Sequence, residues 1–129
     1  MTYYFEKTIA GSMEGTEIKV TEALTQEGFG VLTEIDVKAT LKKKLDADFR
    51  PYKILGACNP PFAHKALLTE SKIGLMLPCN VVIQELEPGQ IEVSAIDPVS
   101  AMSMIENPGL KEIAEQVSEK LKRVIDKCV

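Results

Sequence analysis

Residues 80–97, NVVIQELEPGQIEVSAID, set two runs of β-formers around a Pro-Gly pair. Asn80–Leu86 and Gln90–Asp97 read as strands, with Glu87-Pro88-Gly89 as the turn. A connection this short joins antiparallel neighbours only. Outward from the hairpin, Tyr52–Cys58 reads as a strand with apolar side chains on both faces: Ile54 on one, Leu55 and Ala57 on the other. Val31–Val37 alternates, which puts Val31, Thr33, Ile35 and Val37 on one face and Leu32, Glu34 and Asp36 on the other. Tyr3–Ala10 is a further strand.

Helices fill the intervals. Ser12 caps a run that ends at Gly28, a C′ glycine. Lys38–Ala47 makes a short helix with Leu41 and Leu45 inward and Lys42, Lys43 and Lys44 in solvent. Three Asx-Pro pairs, Asn59-Pro60, Asp97-Pro98 and Asn107-Pro108, read as N-caps followed by proline at the first helical position. In the last helix Leu110, Ile113, Ala114, Val117, Leu121, Val124 and Cys128 form one apolar stripe, with Glu119 and Arg123 paired on the wet side. The expected fold is α+β in a single domain over 1–129. Its mainly antiparallel sheet has four to five strands, with helices on one face. Leu32, Leu55, Val82 and Ile96 are expected on the face that the helices leave open, and homodimerisation is one way to bury them.

The chain has 129 residues, and 15 Lys and Arg against 19 Asp and Glu leave a net charge of −4. That balance opposes binding to nucleic acid or anionic lipid. The most apolar stretch, Ile73–Ile83, is interrupted by Pro78 and is far short of the ~20 residues that span a bilayer. Met1–Lys7 lacks the basic start and apolar core of a signal peptide. A cytoplasmic protein with reduced thiols is the expectation, since three cysteines make no secreted disulfide framework.

Chemistry concentrates in two segments. Cys58 ends a strand just before a helix, where the positive end of the helix dipole favours thiolate. His64, the only histidine, follows in that helix, so Cys58 and His64 are the residues for a nucleophile–base pair. Cys79 and Asn80 open the next strand. Two thiols and an imidazole also suit a soft metal or haem, but structural metal sites use closely paired cysteines, and the gaps here are too wide; no metal ligand is assigned and no cofactor is specified. Glu34 and Asp36 alternate onto one strand face as paired carboxylates. Pro60 and Pro61 each remove an N–H that an anion would use at the helix start. Gly28-Phe29-Gly30 leaves a helix for a strand, the wrong setting for a nucleotide loop.

Three blocks carry a family resemblance: Glu22-Ala23-Leu24 with Glu27–Val37, Tyr52–Pro60 with Ala63-His64, and Leu77–Val81. Together they resemble domain-of-unknown-function family 302 over most of residues 1–105. The resemblance implies a small α+β fold similar to the TATA-binding-protein-like β-α-β(n)-α arrangement, and a homodimer. It implies no activity. Its motif residues fall on Glu34, Asp36, Cys58, Asn59, His64, Cys79 and Asn80. The expected function is small-ligand binding around Cys58, His64, Cys79 and Asn80. The alternatives are a thiol-dependent enzyme using Cys58 and His64, a metal- or haem-binding module, and a dimeric interaction domain.

Overall fold

The computed structural model describes residues 2–129. Among these, five strands form one antiparallel sheet: β1 (Tyr4–Ala10), β2 (Gly30–Asp36), β3 (Tyr52–Cys58), β4 (Cys79–Glu87) and β5 (Gln90–Ile96), in the order β1-β5-β4-β3-β2. The 80–97 hairpin forms as read, and β5, β4 and β3 are the sheet's inner strands, with β4 central. The helices are α1 (Met13–Gln26), α2 (Val37–Leu45), α3 (Pro60–Thr69), the short α4 (Pro98–Ala101) and α5 (Pro108–Lys127), with a 3₁₀ turn at Ser71–Met76.

One face of the sheet meets α1 and α5. Leu55, Ala57, Val81, Ile83, Ile91, Val93 and Ala95 bury there against Val20 and Leu24 of α1 and Val117, Leu121 and Val124 of α5. Full burial of such a side chain is worth about 1.5–3 kcal/mol, so these strands hold their register through that face. Cys128 closes the α5 stripe, fully buried, with its thiol donating to the Val124 carbonyl at 3.2 Å. A smaller cluster, Ala66, Ile73 and Leu110 with Met76, Leu77 and Met102, sits between α3, the 3₁₀ turn and α5.

Among the described residues, neither α1 nor α5 covers the opposite face. Tyr4, Tyr52, Ile54, Val82 and Ile96 lie on it, half-buried. Leu55 does not: it pairs with Val81 and is buried under the helices. The strict alternation read into Val31–Val37 also fails. A β-bulge at Leu32 shifts the register between Val31 and Thr33, so Val31 lies opposite Ala57 and Thr33 opposite Gly56. The extra residue, Leu32, turns out to solvent. In α2, Leu45 is 71% exposed rather than inward.

The end of α1 matches its sequence signal. Gly28 takes φ 87°, Phe29 N–H reaches the Leu24 carbonyl at 2.9 Å, and Gly28 N–H reaches Thr25 at 3.0 Å. This is a Schellman closure, which needs the left-handed glycine.

Candidate functional site

Between the two apolar clusters the packing leaves a cavity of about 250 Å³. Its floor is the end of the sheet: Ala57 and Cys58 of β3, and Cys79 of β4, where Ala57 and Cys79 are cross-strand partners. α3 supplies Phe62, Ala63 and Ala66, α5 supplies Ile113 and Val117, and Phe29, Leu77, Pro78 and Met102 complete the wall. Leu32 and Leu67, which line it from the outside edge, are exposed.

Hydrogen-bonding groups in this wall are few. Asn59 is buried at 8% exposure, and its amide donates to the Glu27 carbonyl at 3.1 Å. It does not cap α3. Elsewhere the Asx-Pro device works as read: Asp97 accepts from Val99 N–H at 3.0 Å and Asn107 from Gly109 N–H at 3.2 Å. In both, the donor is the second helical residue. At α3 that residue is Pro61, which has no N–H, so the Asn59 side chain turns back to α1 instead.

The thiols differ. Cys58 is half-buried and Cys79 buried. Burial pushes the Cys79 thiol up to about 11, and the neighbouring Cys58 adds to the rise. A thiol so shifted stays neutral at physiological pH and behaves as a small polarizable hydrophobe with a weak donor. Burial raises Cys128 as well.

Of the residues singled out from sequence, Cys58, Asn59 and Cys79 meet at this cavity. His64 stands on the exposed side of α3, outside the lining. Asn80 points to the open sheet face, beside Tyr4, Tyr52 and Gln84. Glu34 is in an ion pair with Lys53, which also binds Glu17. Asp36 caps α2, accepting from Ala39 N–H at 2.9 Å. Among the described residues, no three His, Cys, Asp or Glu side chains gather in metal-binding geometry. Sequence reading missed Phe29, Phe62, Met102 and Val117 as wall residues. They are ordinary apolar residues of four separate segments, and only the fold brings them together.

Residues 5–128 match the family described as Domain of unknown function DUF302. The chain belongs to that family. A crystal structure of an uncharacterized conserved DUF302 protein from Bacillus stearothermophilus is similar to it at 32% identity and a TM-score of 0.92, over 100% of both chains. No curated protein matches the chain. The matched residues include the strand end, helix start and Leu77–Cys79 segment that build one side of the cavity. Among the described residues, no helix is long and apolar enough to cross a membrane.

Proposed function

We propose that this DUF302 chain, as one domain over residues 1–129, binds a small, predominantly apolar molecule in the cavity between the sheet end, α3 and α5. The observation that carries the reading is the wall itself, built from Phe29, Phe62, Leu77, Met102 and Val117 with two thiols. An apolar cavity of ~150 Å³ stays dry and takes up benzene. One of about 250 Å³ has room for a somewhat larger ring or short chain. Drug-sized and cofactor sites run from ~300 to 1,000 Å³ and carry several convergent polar groups. Cys58 and Cys79 would serve as polarizable contacts rather than as half of a catalytic pair, because His64 is on another surface. A reducing, cytoplasmic setting suits three unpaired cysteines.

Thermal unfolding tests the reading. Saturating benzene or toluene should raise Tm, since a ligand at 100 times its Kd stabilises the fold by ~2.7 kcal/mol. Ala63→Trp, which fills the cavity from α3, should abolish that rise. An equal rise in the variant, or none in the wild type, would overturn it.

A second reading concerns assembly. The open sheet face, with Tyr52, Ile54, Val82 and Ile96 half-buried and uncovered, suits a second copy of the chain in a face-to-face homodimer. Sedimentation equilibrium should give a dimer for the wild type and a monomer for Val82→Arg. A monomeric wild type would remove this reading and leave the cavity reading intact.

A further inference from the structure

The cavity has a neighbour along α5. A second hollow of about 490 Å³ lies against it, and Met102 and Ala114 line both. The two differ in chemistry. The inner wall is carbon and sulfur apart from Asn59, whose amide is engaged with Glu27. The outer one joins Val99, Ile105 and Leu110 to Ser103, Glu106, Asn107 and Lys111.

Two of those polar side chains are already committed. Asn107 donates to the Thr69 carbonyl and the Glu70 carboxylate and accepts from Gly109. Ser103 donates to the Ser100 carbonyl. Glu106 and Lys111, both exposed, are left facing the hollow with opposite charges. A carboxylate there meets Lys111 but also the like charge of Glu106, and an ammonium group meets the reverse, so neither gains a net attraction to offset its loss of hydration. A hydroxyl finds both an acceptor and a donor.

Resting on the apolar-ligand reading above, we propose that the two hollows are one elongated site for a straight-chain amphiphile with an uncharged polar end. The chain starts in the inner cavity, and one long enough to pass Met102 continues into the outer hollow and sets its hydroxyl or similar group between Glu106 and Lys111. Met102 is the partition. It sits in the turn after α4 rather than within a long helix, and its unbranched, three-torsion side chain moves aside at little cost.

The test is the chain-length dependence of 1-alkanol binding, from pentanol to dodecanol, by displacement of a fluorescent apolar probe. In the wild type each added methylene should tighten binding about fourfold, past the length that the inner cavity alone accommodates. Ile105→Trp fills only the outer hollow. It should leave pentanol unchanged and weaken decanol by roughly tenfold or more, the worth of about two methylenes. Ser103→Trp, at an exposed position, gives the same comparison should Ile105→Trp fail to fold. Decanoate and decylamine should both bind the wild type less tightly than decanol. Equal effects of the tryptophan on pentanol and decanol, or decanoate binding as tightly as decanol, would overturn the elongated site. Binding of pentanol with no gain at greater length overturns this inference alone. Failure of every alkanol to bind overturns the apolar-ligand reading with it.

Discussion

Asn59 and Glu27 are joined across the molecule: the Asn59 amide donates to the Glu27 main-chain carbonyl at 3.1 Å, tying the start of α3 to the end of α1. The Glu27 carboxylate in turn accepts from Arg123 at 2.9 Å and Lys127 at 2.8 Å on α5. One residue therefore links three helices beside the cavity. A side chain at Gly28 would come within 3.2 Å of the Asn59 amide, so the clasp also depends on the glycine.

Asn59→Ala should cost about 1–3 kcal/mol, the range for stranding one partner of a buried hydrogen bond. Asn59→Asp keeps the shape but turns an acceptor toward the Glu27 carbonyl, and should cost more. Urea unfolding of the two variants checks the order.

Gly56→Ala should be strongly destabilising. A Cβ there would lie 2.1 Å from Thr33 Oγ1 and 2.7 Å from Pro78 Cγ. Overpacking of this kind costs ~1–3 kcal/mol. Thr33→Ala removes the nearer clash, so the double variant should be more stable than additivity allows, as a double-mutant cycle would show.

Acid should probe the Glu27 clasp. Arg123, then Lys127, hold its carboxyl down from the ordinary 4.5 to about 2. A lowered carboxyl value stabilises the fold above the unfolded-state value, and that contribution is lost as pH falls through the folded one. The penalty of Glu27→Gln should thus be full at pH 7 and shrink between about pH 4.5 and 2. Both cations are substantially exposed, so 1 M NaCl should reduce the penalty as well. Unfolding curves against pH at two salt concentrations measure this.

Maleimide labelling at pH 8 should modify Cys58 first. Cys79 and Cys128 are buried with raised thiol values, and should react only on unfolding. Saturating benzene should slow Cys58 several-fold if the ligand sits against it. Peptide mapping by mass spectrometry reads all three sites.

Much of the fold is legible because its signals are local. The Pro-Gly hairpin, the Schellman glycine and the α5 stripe each specify their element from neighbouring residues. Sequence signal and structure part where a distant partner intervenes. Glu119 and Arg123 have helical pairing distance, yet Arg123 binds Glu27, 96 residues away in sequence. The bulge at Leu32 is invisible in a strand of alternating residues, because it is fixed by the pairing with β3. One further detail was readable: Pro61 removes the N–H that would have let Asn59 cap α3. At the site, Cys58, Asn59 and Cys79 stood out by type and placement. His64 and Asn80 share their segments, but helix phase and strand alternation turn them elsewhere. The apolar wall had no signal beyond hydrophobicity, since any buried Phe or Met reads the same.

The most direct measurement is a ¹H–¹⁵N NMR titration of the protein with benzene. Binding in the cavity predicts saturable shifts at the amides of Phe29, Ala57, Cys58, Phe62 and Val117, absent in Ala63→Trp. The absence of saturable shifts, or shifts gathered on the open sheet face around Tyr52 and Val82, would contradict the account.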